Sequence, residues 1–211
     1  MTRAYLAQRL HGIYAIVNEG PGDAVELTRA ILDGGARIVQ YRAKSGIVPS
    51  HAQAMRELTR AAGALFILND TWRAVAAYDA DGVHVGPDDV GPGDITEIRK
   101  ALPEQLIGLS CGTAAEGRAA EGSDVDYIGV GSIFATPSKA DAGEPIGIAG
   151  LRAVTGHCRL PVAAIGGIGH ESIREVALTG VAMAAVISAI AQSGDPRGAV
   201  AELVQLWNDN A

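Results

Sequence analysis

Cysteine is nearly absent from this chain. Only Cys111 and Cys158 occur among 211 residues, which excludes a disulfide framework and leaves no cluster for structural zinc. A surplus of positive charge is also missing, since 17 Lys and Arg stand against 24 Asp and Glu for a formal charge of −7. That balance argues against general nucleic-acid binding or attachment to an anionic membrane, while leaving room for a local cationic pocket for phosphates. No apolar run reaches spanning length, and Met1-Thr2-Arg3-Ala4-Tyr5-Leu6 lacks the apolar stretch of a secretory signal. A cytoplasmic protein is expected. No Pro- or Ser-rich linker interrupts the sequence, so residues 1–211 read as one domain.

What the chain does have is alternation. Apolar, β-branched runs recur near Ile13–Val17, Arg37–Gln40, Leu65–Leu68, Gly82–Val85, Leu106–Leu109, Tyr127–Val130, Val162–Ile165 and Ala184–Ile187. Between and after them lie helical stretches, roughly Ala24–Asp33, Ser50–Ala62, Trp72–Tyr78, Ile95–Ala101, Ala114–Glu121, Ala149–Val154, Ser172–Leu178 and Ala199–Trp207. In the last of these, Val200, Leu203, Val204 and Trp207 follow the i, i+3, i+4, i+7 spacing of one helix face. Several strands are apolar nearly throughout, as parallel strands covered on both faces must be. Eight βα units of about 25 residues fit a closed (β/α)8 barrel, with a doubly wound open sheet as the alternative.

In such a barrel the site lies at the C-terminal ends of the strands. Gln40, Arg42 and Lys44 alternate with Val39, Tyr41 and Ala43, so a strand period of two turns all three polar side chains to one side. An amide, a guanidinium fork and an ammonium together suit a pyrophosphate and its attached heterocycle; a strand end fraying into solvent is the plain alternative. Asn69-Asp70 follows the third strand, and Asp88-Asp89 follows the fourth. Asp70 and Asp89 on neighbouring loops can share one Mg²⁺, although either is also compatible with a helix cap or a turn. After the sixth strand, Gly129 and Gly131 lead into Thr136, Ser138 and Lys139, a kit of close-approaching backbone, hydroxyl donors and one charge for an oxyanion. The stretch on to Pro145 is long enough to be expected to act as a lid. Gly166-Gly167 after the seventh strand and Ser188 after the eighth stand where barrels of this kind bind phosphate. His84 reads as a satisfied interior histidine, with no second histidine at metal spacing, and Cys111 has no histidine partner to make it a nucleophile.

In this order, Val39-Gln40-Tyr41-Arg42-Ala43-Lys44, Ile67-Leu68-Asn69-Asp70, Asp81 to Gly86, Asp126 to Lys139, Val162 to Ile168 and Val186 to Ile190 make the chain resemble the thiamine-phosphate synthase family over essentially its full length. The resemblance implies a (β/α)8 transferase that joins a pyrimidine diphosphate to hydroxyethylthiazole phosphate, releasing pyrophosphate and forming thiamine phosphate. Carried onto this chain, it places Gln40, Arg42, Lys44, Asn69, Ser110 and Lys139 around the pyrimidine diphosphate. Arg42, Lys44 and Lys139 would serve the departing group, and Asp70 and Asp89 would hold Mg²⁺. Thr136, Ser138, Gly167, Ile187 and Ser188 would line the thiazole-phosphate site. The implied partners are small phosphorylated molecules rather than nucleic acid or membrane. Asn18, Pro87, Cys111 and Met183 depart from the family's usual residues, and Met183 is expected to narrow the thiazole side. A tautomerase of the related TenI type, or a phosphate-ligand sensor on the same barrel, are the competing readings.

Overall fold

The computed structural model describes residues 1–20, 22–87, 90–91, 93–136 and 144–211. Eight parallel strands close into a barrel in the order of the sequence, each hydrogen-bonded to its neighbours and the last to the first. They are β1 (Gly12–Asn18), β2 (Ile38–Arg42), β3 (Leu65–Asn69), β4 (Gly82–Val85), β5 (Leu106–Cys111), β6 (Tyr127–Val130), β7 (Val162–Ile165) and β8 (Met183–Val186). The expected (β/α)8 architecture is therefore the one observed.

Helices cover the outside: α2 (Ala24–Asp33), α3 (Pro49–Ala61), α4 (Asp94–Ala101), α5 (Ala114–Glu121), α6 (Gly147–Thr155), α7 (Ile173–Ala177) and α9 (Pro196–Asn208). Their starts are chemically marked. Asp23 accepts from the N–H groups of Val25 and Glu26, Thr113 from Glu116 and Asp195 from Gly198, relieving orphan donors of the first turns. The close approach of α2 and α9 is set by Gly34, where a Cβ would lie 2.6 Å from the Val200 Cβ and 2.7 Å from the Arg197 carbonyl. Three elements differ from the periodicity reading. Two short helices were not foreseen, α1 (Arg3–Ala7) before the barrel and α8 (Ser188–Ala191) after β8. The expected helix over Trp72–Tyr78 is only a 3-10 turn, Trp72–Ala74, in a segment flanked by Asp70 and Asp79 with left-handed backbone angles (φ 60° and 49°).

The strand period of two splits the core. Outward residues such as Val39, Phe66 and Val83 pack against the helices. Inward residues form a second cluster with Tyr14, Ile38, Leu65, Ile67, Leu106, Tyr127 and Met183. Leu6 and Leu10 from α1 and its following turn join that inner cluster and plug its lower end. Two buried carboxylates tie strands to helices at the same end. Asp81 accepts from the Phe66 N–H and pairs with Arg56 of α3, while Asp126 accepts from the Ile107 N–H and pairs with Arg99 of α4 and with Arg3. Each carboxylate is satisfied from several sides, which is what burial of such a charge requires. With the lower end plugged, the open end is the one that carries the strand C-termini.

Candidate active site

The open end holds one bilobed cavity. The larger lobe, about 360 Å³, runs between the loops after β5 to β8 and includes Thr136, Gly167, Ile187 and Ser188 on its wall. The smaller lobe, about 140 Å³, includes Gln40, Arg42, Lys44, Asn69 and Asp70. Ser110, Gly129, Ile165, Ala185 and Ile187 face both. Every described residue proposed from the sequence thus lies on this one surface; those assigned to the thiazole phosphate line the larger lobe and those assigned to the pyrimidine diphosphate the smaller, with Ser110 and Ile187 on the wall common to both. Asp89, Ser138 and Lys139 lie outside the described residues, as does most of the segment expected to form a lid.

In the smaller lobe, Gln40 is inward on β2 and buried, and its Nε2 donates to the Tyr14 hydroxyl at 2.8 Å. Arg42, one residue pair further along, donates through Nη1 to the Asn18 carboxamide at 3.1 Å across the β1–β2 ladder. Asn18 accordingly acts as a neutral acceptor that positions the guanidinium. Lys44 reaches across to Asp70, with Nζ and Oδ2 2.5 Å apart in a half-exposed ion pair. The possibility that Asp70 is a helix cap is not what the structure contains, because no side chain caps the following 3-10 turn. Its left-handed backbone instead turns the carboxylate toward the mouth, where only one oxygen is engaged by Lys44 among the described residues. That leaves Asp70 suited to be one ligand of a hydrated Mg²⁺ completed by substrate phosphate, a donor set of few carboxylates and several waters. No group of three or more His, Cys, Asp or Glu among the described residues is arranged around a metal position.

In the larger lobe, the two glycine-bearing loops are interlocked. The N–H groups of Ile133 and Phe134 donate to the carbonyls of Ile165 and Gly166, both at 2.9 Å. The contact is possible only without side chains. A Cβ on Gly131 would sit 2.1 Å from the Ile165 carbonyl, and one on Gly166 would sit 2.2 Å from the Ser132 hydroxyl. Gly166 and Gly167 also have φ of 103° and 65°, the left-handed region that favours glycine. They are therefore both a tight turn and a docking surface for the preceding loop. Ser188 begins α8, the short extra helix that closes this lobe after β8.

Several neighbours have clear roles of their own. Burial pushes the Cys111 thiol up to about 12, so it stays protonated and unreactive at neutral pH. Met183 does not narrow the thiazole side, because it faces the barrel interior beside Gly12 and Ala163 and lines neither lobe. Pro87 does reach the larger lobe. Behind β2, Tyr41 donates to Glu19, which also meets His51 Nδ1 at 2.9 Å, and Tyr41 in turn accepts from the Val48 N–H. This knot holds the segment that carries Lys44.

Sequence reasoning missed Tyr14 and Tyr127, and it found in His84 only a satisfied histidine. His84 is satisfied, with Nδ1 3.2 Å from the Tyr127 hydroxyl and Nε2 3.0 Å from Ser110 Oγ, but it also lines the smaller lobe, as does Tyr14. The available signal was the pair of inward glycines, Gly108 and Gly129. A Cβ there would lie 2.5 Å from His84 Nδ1 and 2.8 Å from His84 Cε1, so both glycines make room for the imidazole.

Comparison with known proteins agrees with this geometry. A family model described as thiamine monophosphate synthase matches residues 13–190. The thiamine-phosphate synthase of Moorella thermoacetica is 43% identical over 190 residues, covering 87% of this chain and 88% of that protein. The corresponding enzyme of Archaeoglobus fulgidus is 43% identical over 184 residues, covering 86% and 85%. Among solved structures, thiamine phosphate pyrophosphorylase from Pyrococcus furiosus superimposes with a TM-score of 0.85 at 36% identity, covering 97% of this chain and 98% of that one. A match of this extent, on a barrel whose two glycine loops and polar strand ends form one bilobed cavity, places the chain in the thiamine monophosphate synthase family.

Proposed function

We propose that this protein is a thiamine-phosphate synthase in which the smaller lobe takes the aminopyrimidine diphosphate and the larger lobe takes hydroxyethylthiazole phosphate. The carrying observation is the bilobed cavity itself. One lobe gathers Arg42 and Lys44, the other is built on interlocked glycine loops, and Ser110 and Ile187 stand on the wall common to both. Two anionic substrates held on either side of that wall would meet at the reacting centre. The carbon–oxygen bond to the diphosphate would break first, pyrophosphate leaving with the electron pair, and the thiazole nitrogen would then form its bond to the exocyclic methylene carbon in a dissociative substitution.

An electron-rich aminopyrimidine stabilises the cation left by that departure, so the reaction asks for no protein nucleophile. Positioning and charge stabilisation suffice, and positioning alone is worth several kcal/mol in well-oriented reactions. Arg42, held by Asn18, would present a fixed fork to the diphosphate. Lys44, held by Asp70, would supply a point charge, joined by Lys139 from the loop after β6. Asp70 and Asp89 would hold Mg²⁺, which when bound neutralises charge on the leaving pyrophosphate. Backbone N–H groups near Gly167 and the hydroxyls of Thr136, Ser138 and Ser188 would hold the thiazole phosphate.

The decisive experiment supplies purified protein with both phosphorylated heterocycles and Mg²⁺, and follows thiamine phosphate and pyrophosphate together, with and without a chelator. Equal, chelator-sensitive formation of both products is expected. Intact substrates in the presence of folded protein would overturn the reading and turn attention to tautomerisation of the thiazole.

A further inference from the structure

The barrel interior directly beneath the smaller lobe is polar, and its polar groups form one continuous line. Gln40 Nε2 donates to the Tyr14 hydroxyl at 2.8 Å, Tyr14 and Tyr127 hydroxyls are 2.9 Å apart, Tyr127 lies 3.2 Å from His84 Nδ1, and His84 Nε2 lies 3.0 Å from Ser110 Oγ. Five residues from β1, β2, β4, β5 and β6 are thereby joined across the barrel. Tyr14 and Tyr127 are almost fully buried, in edge contact with ring centres 6.1 Å apart, and Tyr127 leans on the His84 ring at 5.4 Å. Gly108 and Gly129 are the clearances in which Tyr127 and His84 sit, since a Cβ at Gly108 would lie 2.2 Å from Tyr127 Cζ.

A phenol has a single proton to give. The Tyr14 oxygen accepts from Gln40, and its buried O–H has no acceptor among the described residues other than Tyr127, so that proton is directed at Tyr127. Tyr127 then passes its O–H to His84 Nδ1, which makes Nδ1 the acceptor and leaves the imidazole proton on Nε2. That proton goes to Ser110 Oγ, whose own O–H is left to point elsewhere. Burial pushes both phenols well above the ordinary tyrosine range, so each keeps its proton to give at neutral pH. At its two ends the line has opposite polarity. Gln40 has used an N–H and keeps Oε1, which no described residue engages, and Ser110 keeps a donor. Both ends face the smaller lobe.

We propose that Tyr14, Tyr127 and His84 are positioning residues forming a directional hydrogen-bond train, which makes Gln40 an acceptor and Ser110 a donor and so selects a heterocycle offering an amino N–H to one and a ring nitrogen to the other. The inference rests on the assignment of the smaller lobe to the aminopyrimidine and adds to it the reason for the preference. Without the train, the Gln40 amide can turn over and the Ser110 hydroxyl can reverse, and the two ends no longer read the ring as a pair.

Two measurements test it. In the coupling assay, Tyr127→Phe and Tyr14→Phe keep the rings and remove the relays. Each is expected to raise KM for the pyrimidine diphosphate by about tenfold, the effect of misdirecting one buried hydrogen bond, while KM for the thiazole phosphate stays within about twofold. An equal rise in both constants, or no rise in a folded variant, overturns the proposal. Independently of any substrate, ¹⁵N-histidine spectra at about pH 8, above the ordinary imidazole range, report the His84 tautomer, identified by the signals lost in His84→Gln. A proton on Nε2 that becomes mixed in Tyr127→Phe supports the train; a proton on Nδ1, or a tautomer indifferent to Tyr127→Phe, refutes it. Failure of the unmodified protein to couple its substrates would instead strike the functional reading, and the spectra would still decide the train.

Discussion

Replacing Gly166 by alanine tests whether the two glycine loops work as one interlocked surface. The substitution acts in two ways. A φ of 103° is hostile to any side chain, and holding a non-glycine residue in such a conformation costs about 1–3 kcal/mol. The new Cβ would also stand 2.2 Å from Ser132 Oγ and 2.8 Å from Ser132 Cα. Ser132 cannot step aside freely, because its buried hydroxyl donates to the Phe134 carbonyl at 2.6 Å and the Phe134 N–H is committed to Gly166. Overpacking against such a neighbour adds about 1–3 kcal/mol. The total is about 4 kcal/mol, and at 2–4 °C per kcal/mol for a domain of this size Tm should fall by roughly 8–16 °C. Gly180→Ala supplies the control, since Gly180 has φ 79° but nothing within 4 Å of a Cβ; it bears the conformational cost alone, about 1–2 kcal/mol, and should lose only about 2–8 °C. Calorimetric melting of both variants, with KM for each substrate, gives the answer. Gly166→Ala should also raise KM for the thiazole phosphate far more than for the pyrimidine diphosphate. Equal melting temperatures for the two variants would refute the interlock, because the contact with Ser132 is the main cost that Gly166→Ala bears and Gly180→Ala does not.

Two further outcomes follow from the described contacts. Asp70→Asn should shift the Mg²⁺ titration of the coupling reaction to higher metal by about tenfold or more, as expected when an anionic ligand becomes neutral; an unshifted titration would reduce Asp70 to a partner of Lys44. Burial opposes ionisation of Glu19, but hydrogen bonds from Tyr41 and His51 outweigh it and hold the carboxyl below its ordinary range. A depressed carboxylate stabilises the fold above its unfolded pKa and loses that contribution as pH falls through the folded value, so Glu19→Gln should melt lower near neutrality and converge with the parent protein as acid is added. Parallel melting curves from about pH 7 to pH 3 would show that the Glu19 knot carries no such linkage.

How much of this was legible beforehand depends on the kind of signal each element carries. The strands β4, β6 and β7 and the helices α2 and α5 begin and end where periodicity and end signals place them. Asp23, Gly34, Thr113 and Gly122 mark the ends of those two helices in the sequence itself. The last strand was displaced by one residue because Ala182 to Ile187 is uniformly apolar and offers no end signal. Its start is decided by pairing with Gly12, a contact between residues 171 positions apart that no local pattern contains. Short helices such as α1 are too brief to show a period. The error over Met183 has the same origin. Met183 has the same inward parity as Ala185, which faces both lobes, and differs only in level: it stands at the start of β8, paired with Gly12, and lines neither lobe.

The site divides along the same line. Gln40, Arg42 and Lys44 could be grouped because a period of two is local, and Gly166-Gly167 could be flagged because glycine pairs are conspicuous. Tyr14 and Tyr127 were invisible, since each is an ordinary aromatic in an ordinary strand, and their relation exists only once β1 and β6 face each other across the closed barrel. Closure also explains why polar groups appear in that interior at all. The lower part of the barrel is filled by Leu6, Ile38, Leu65, Leu106 and Met183 and needs no partners. Higher up, Gly108 and Gly129 leave volume that apolar side chains from the same strands do not fill. An imidazole and two phenols can fill it only if every donor finds an acceptor. The line from Gln40 to Ser110 meets that demand, and because its members satisfy one another in sequence, none can be altered without changing what the cavity above is offered.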